Sequence, residues 1–138
     1  MHLALGPVAK AKGLRSFYET ALYRKDSDYR VPDLSFVLPS QVVKRGIEGG
    51  AELVIEILSP DDESHEKLPW YAAFLVKEVL IIDPETRALE FFVLRGGQLH
   101  AVVADEKGQF RSAVLGVTFA TREGPKLEIS GPLGTTLI

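Results

Sequence analysis

The run Leu53-Val54-Ile55-Glu56-Ile57-Leu58 constrains this chain more than any other segment. A nearly continuous apolar stretch is expected of a strand covered on both faces, so the fold must bury a sheet rather than lay one face in water. One charge interrupts it. Burying a carboxylate without a partner costs several kcal/mol, so Glu56 has to be neutralised, hydrogen-bonded or bound to a cation. A neighbouring Arg, Tyr or Lys would satisfy it structurally, and a metal ion would satisfy it functionally.

The remaining elements are read around that strand. With 138 residues the chain has the length of one domain, 1–138, able to bury a core of its own. Gly6-Pro7 is expected to break any helix at the N-terminus, leaving at most a turn or two before Gly13. Leu14 to Tyr23 and Tyr29 to Leu38 read as strands separated by the turn Asp26-Ser27-Asp28. Pro32 is tolerable only at the start or on the edge of the second. Pro39 to Gly50, with Lys44, Arg45 and three glycines, reads as a mobile loop.

After the Glu56 strand, Leu68, Tyr71, Ala72 and Leu75 fall at i, i+3, i+4 and i+7, the spacing of one helix face. Pro69 is acceptable in a first turn, which places the regular helix from Glu66 to Val76. Glu78 to Asp83 is a second buried strand. Leu89–Leu94 and Leu99–Ala104, joined through Gly96-Gly97, form a hairpin. One or two further short strands around Gly124-Pro125 complete an α/β order, β–β–β–α–β–β–β, with one helix on the face of a sheet.

Cysteine is absent, which excludes disulfides, thiolate zinc sites and cysteine nucleophiles and fits a reducing compartment. No apolar run approaches the ~18 residues that cross a bilayer, and no leader pattern opens the chain, so a soluble cytoplasmic protein is expected. The net charge of −3 divides unevenly. Residues 1–50 carry eight Lys/Arg against five Asp/Glu, and 51–138 carry eight against fourteen. The overall balance argues against tight nonspecific nucleic-acid binding, while the basic first third leaves it open. Asp61, Asp62, Glu63 and Glu66 read as a solvated helix start complementing the helix dipole.

The chemistry gathers around three residues. Asp33 follows Pro32 at the head of an earlier strand, and Lys67 opens the helix that follows Glu56. If strands 33–38 and 53–58 are neighbours, the two carboxylates meet at one end and the helix returns Lys67 to the same mouth. Two carboxylates with a backbone carbonyl and water make the hard oxygen site that Mg²⁺ prefers, and a nearby ammonium can orient the attacking water. That combination suits phosphodiester hydrolysis. By contrast, His65 beside two acids reads as solvent-exposed, and His2 and His100 have no partner at metal-ligand spacing. Ser59 lacks a nucleophile elbow, and Trp70 reads as core or interface rather than a base-stacking platform.

Tyr-Arg-Val-Pro-Asp-Leu (29–34), Leu-Val-Ile-Glu-Ile-Leu-Ser-Pro (53–60), Glu-Lys-Leu-Pro-Trp-Tyr-Ala (66–72) and Val-Lys-Glu-Val-Leu-Ile-Ile-Asp-Pro (76–84) together resemble the bacterial "putative restriction endonuclease" family of the PD-(D/E)xK nuclease superfamily. The resemblance covers about residues 14–105. It implies a restriction-endonuclease-like α/β (α+β) fold, a mixed sheet with one helix packed on it and a C-terminal β-hairpin, the N-terminal helix being shortened or absent. It also implies that Asp33 and Glu56 bind Mg²⁺ or Mn²⁺, with the Ile57 carbonyl as a third ligand, and that the substrate is DNA. The superfamily's usual lysine, two residues after the glutamate, is replaced here by Leu58, and Lys67 on the following helix takes its role. Tyr71 would either hydrogen-bond the site or pack, and packing is the expected state. Glu19 stands in chain order where a first-helix acid would, but reads as surface charge. The family tends to place glycine at position 75, where this chain has Leu75.

Two other readings stay open: a non-catalytic relative acting as a binding or assembly module, and a structural domain with a satisfied Glu56. With one helix for a sheet that needs cover on both faces, a homodimer is expected, joined through Trp70, Phe74, Phe91 and Phe92.

Overall fold

The apolar run lies near the middle of a sheet covered on both faces, and both covers come from this chain. The computed structural model describes every residue but Asp62, with His2 described by its backbone alone. Along the chain come α1 (His2–Ala11), β1 (Arg15–Tyr18), β2 (Leu22–Lys25), β3 (Asp28–Arg30), β4 (Leu34–Val37), β5 (Val42–Val43), β6 (Gly46–Ile47), β7 (Ala51–Ile57), α2 (Leu68–Ala73), β8 (Val76–Ile82), β9 (Leu89–Arg95), β10 (Gln98–Ala101), β11 (Gln109–Ser112), β12 (Val117–Arg122), β13 (Lys126–Gly131) and β14 (Gly134–Leu137). The main sheet has the order β1-β4-β7-β8-β9-β10. All of its neighbours are antiparallel except β7 and β8, which run parallel and are joined by the crossover that contains α2.

Side chains alternate between the two faces of this sheet. Leu34, Phe36, Leu53, Ile55, Leu80, Ile82 and Phe91 share one core with Leu5, Val8 and Ala9 of α1 and with Leu115, Val117, Phe119, Leu127 and Ile129 from the C-terminal region. Val37, Val54, Val79 and Ile81 share the other with Trp70, Tyr71 and Phe74 of α2 and with Leu22 and Ile47. The dimer surface expected from sequence is therefore unavailable. Trp70, Phe74 and Phe91 are buried, and Phe92 is packed against the second core.

The N-terminal helix is present for ten residues, through Gly6-Pro7. An interior proline costs about 3 kcal/mol, but burying Leu5 and Val8 on one helical face returns about 1.5–3 kcal/mol each. The expected strand 14–23 is two strands in two sheets, split where Glu19 takes φ 42°. The expected strand 29–38 likewise splits at Val31-Pro32-Asp33, because Pro32 has no N–H for a ladder. Residues 39–50 are ordered: β5 and β6 complete a small sheet of order β3-β2-β6-β5. The C-terminal region holds four strands, β11 to β14, in a sheet of their own.

Helix α2 is shorter than its periodicity suggests, covering Leu68–Ala73 with Pro69 in its first turn. It ends as helices with a C-terminal glycine do, yet the left-handed position, φ 69°, is filled by Leu75, a conformation that costs a side-chain-bearing residue roughly 1 kcal/mol or more.

Candidate active site

The β4–β7 register sets the geometry. Leu34 faces Ile55, so one step further along the antiparallel pair Asp33 comes opposite Glu56. Asp33 Oδ2 accepts the main-chain N–H of Ile57 at 2.7 Å, and its other carboxylate oxygen takes no hydrogen bond from the described residues. Glu56 is only 2% exposed. Its Oε1 accepts the Tyr71 hydroxyl at 2.9 Å, and its Oε2 accepts Ser64 Oγ and Lys67 Nζ, both at 3.2 Å.

The crossover supplies all three donors. Ser64 and Lys67 lie in the turns leading into α2, and Tyr71 follows Lys67 by one helical turn, its N–H bonded to the Lys67 carbonyl at 2.9 Å. Burial pushes the Glu56 carboxyl above the ordinary carboxylate range. Lys67 and the Tyr71 hydroxyl oppose that rise, and the charge of Asp33 adds to it. The Tyr71 phenol is pushed up by burial and by the adjacent Glu56, which keeps it a hydrogen-bond donor.

Asp33, Glu56, Lys67 and the Ile57 main chain thus come together at one end of β7. Tyr71, expected to pack, both packs and bonds the site. Ser64 was not singled out by sequence, since a serine in a polar turn gives no signal of its own. Leu58, at the superfamily's lysine position, packs against the second core. His65 lies on the surface, its Nε2 2.5 Å from Glu90 Oε2, and Asp61, Glu63 and Glu66 are exposed while Asp62 falls outside the described residues. Glu19 is exposed, just past β1 rather than on a helix. Its N–H bonds the Asp33 carbonyl at 3.1 Å, and it borders with Tyr18, Asp33 and Ile57 a cavity of about 290 Å³.

No group of three or more His, Cys, Asp and Glu side chains able to hold a metal forms among the described residues. What this end of the sheet offers is two carboxylates, one oxygen of Asp33 still open, and the main-chain carbonyl of Ile57. That set fits Mg²⁺, which takes one or two carboxylates and keeps several waters, better than a metal needing an all-protein cage. No helix among the described residues is long and apolar enough to cross a membrane.

Residues 2–122 match the Uma2 family, described as "Putative restriction endonuclease". Among solved structures, a putative nuclease belonging to DUF820 from Anabaena variabilis ATCC 29413 is similar, with a TM-score of 0.55 at 22% identity. The alignment covers 77% of this chain and 65% of that one. At that identity the likeness concerns the fold. No curated protein matches the sequence.

Proposed function

The chain belongs to the Uma2 family and has a nuclease-like fold, and on that footing we propose that it is a Mg²⁺- or Mn²⁺-dependent endonuclease hydrolysing DNA phosphodiester bonds, with Asp33, Glu56 and Lys67 as its catalytic residues. The observation that carries this reading is a buried carboxylate supplied with an ammonium at 3.2 Å and set beside a second carboxylate that keeps one oxygen open. The charge of Asp33 raises the cost of ionising Glu56, a cost that a cation bound between the two carboxylates would offset.

Asp33, Glu56 and the Ile57 carbonyl would hold the metal. The chemistry a bound Mg²⁺ supplies is Lewis-acid stabilisation of the charge that gathers on the phosphate. Tyr71 and Ser64 fix the two oxygens of Glu56, and the Ile57 N–H fixes Asp33, so the carboxylates are aimed before substrate arrives. Lys67 offers its remaining N–H donors to the attacking water and to the phosphate oxygens.

Asp33→Ala and Glu56→Ala should each abolish cleavage of plasmid DNA in Mg²⁺ or Mn²⁺, whereas His65→Ala should keep most of it. Millimolar Mg²⁺ should raise the melting temperature of the wild type, because a ligand that binds only the folded state stabilises it. Wild-type protein that cuts neither DNA nor RNA under any divalent metal would leave the fold as a binding or assembly module. Two copies, one per strand, are the simplest way to cut a duplex with one site each; a light-scattering mass of a single 15.2 kDa chain on its DNA would exclude that arrangement.

A further inference from the structure

The residue before Tyr71 on α2 organises a second cluster outside the site. Trp70 donates its indole N–H to Asp28 Oδ1 at 2.8 Å and stacks on Phe74 with ring centroids 5.1 Å apart. Two guanidinium groups lie over its ring: Arg30 at 5.2 Å and Arg24 at 5.9 Å from the centroid. Both also reach Asp28, at 3.6 and 3.5 Å. One acid therefore serves two arginines and an indole.

Arg45 on the same small sheet makes the contrast. It too lies over a ring, that of Tyr23 at 4.3 Å, but two acids, Asp26 and Glu48, already neutralise it and take three of its five N–H donors. Arg24 and Arg30 share the single acid Asp28 and meet it at ion-pair distance only, while all three arginine side chains are about 40% exposed. Each guanidinium carries five N–H donors, and Arg30 gives one of them to its neighbour's carbonyl, Tyr29 O, at 2.9 Å. Stacking on an aromatic face holds such a group flat with its donor edge outward, the form in which arginine grips phosphate. The cluster is also close to the chemistry, since Arg30 stands three residues before Asp33 and Trp70 immediately before Tyr71. On the other side, Arg24 borders an open groove of about 650 Å³ whose charged lining is Lys25 and the Arg45 cluster with Asp26 and Glu48.

We propose that Arg24 and Arg30, stacked over Trp70, bind backbone phosphates of the DNA strand next to the one being cut, and so lead the substrate from the small sheet into the site. The inference rests on the nuclease reading for the identity of the polymer, but its test is independent of cleavage. Each phosphate neutralised contributes about −0.9 to the slope of log affinity against log salt.

Binding of a fluorescein-labelled DNA duplex, followed by anisotropy across a salt series without divalent metal, should show the Arg24→Gln/Arg30→Gln double variant at least about tenfold weaker, with a slope shallower by about two. Arg45→Gln should leave the slope unchanged. In cleavage, the double variant should raise KM and hold kcat within about twofold. If the glutamine variant melts early, Arg24→Lys/Arg30→Lys, which keeps both charges, should retain the wild-type slope. An unchanged affinity and slope in the double variant would overturn the proposal even where the wild type cuts DNA, and so would a wild type that binds no duplex. Arginine-dependent binding by a protein that cuts nothing would uphold it while removing the nuclease reading.

Discussion

Three glutamates lie buried in β7 and β8, Glu52, Glu56 and Glu78, and the surroundings of the last two differ in kind. Glu78 on β8 is 4% exposed. It accepts the Ser112 hydroxyl at 2.6 Å and the main-chain N–H groups of Ala113 and Val114 at 2.9 and 3.4 Å. Every donor is neutral, and they come from the last residue of β11 and the turn after it, so the carboxylate works as a rivet between the main sheet and the C-terminal one. Glu56, as deeply buried, is given an ammonium, a phenol and a second carboxylate. Burial raises both carboxyls, and each has a second acid nearby, Asp33 for Glu56 and Glu52 for Glu78, but Glu52 is paired with Lys77 at 2.9 Å whereas Asp33 meets only the Ile57 N–H among the described residues. Depth alone does not tell these acids apart; the donors each is given do.

The largest expected effect concerns turnover. Glu56→Gln should lower cleavage by about 10²–10³-fold or more, the scale set by removing one charge-stabilising group from an active site, while the protein stays folded. Next comes stability. Glu78→Ala should cost about 2–4 kcal/mol, because it strands a buried hydroxyl and two N–H groups, and should leave the activity of the folded fraction unchanged; chemical denaturation with a parallel cleavage assay checks both halves. Equal activity losses in the two variants would erase the distinction.

A smaller effect is the pH dependence. A carboxyl raised in the folded state above its unfolded value, about 4.3, contributes stability that is present below that value and lost as pH rises through the folded one. Melting temperatures in EDTA should therefore fall on raising the pH past the ordinary carboxylate range. Glu56→Gln should remove its share of the fall, and Mg²⁺ should oppose it in the wild type and in a Glu78 variant but not in Glu56→Gln. Smallest of all, Leu75→Gly should raise stability by about 1 kcal/mol or less by relieving the left-handed cap of α2; a drop in melting temperature would mean that the half-exposed leucine packs better than its backbone suggests.

The sequence made β7, β8 and the Asp33–Glu56–Lys67 convergence legible for one reason. Strands covered on both faces leave continuous apolar runs, and a lone charge in such a run must be answered nearby. It was silent where burial is partial. β5 and β6 have two residues each, and β14 is exposed throughout, so no periodicity marks them. Pro7 hid α1, whose buried residues among those described are Leu5, Val8 and Ala9. The Glu78 partners lie 34 to 36 residues away, beyond any local pattern. The Tyr71 hydroxyl was ambiguous because a tyrosine that packs and one that bonds occupy the same helical position.

The parallel pairing of β7 with β8 carries a consequence for how the site is built along the chain. A parallel pair forces a crossover, and this one delivers Ser64, Lys67 and Tyr71 to Glu56 at chain separations of only 8, 11 and 15 residues. The link from Asp33 to Ile57 spans 24. Since the entropy of closing a loop grows only slowly with its length, all four links close at similar cost, and the glutamate with its three donors forms one local unit of the chain to which β4 adds the second carboxylate.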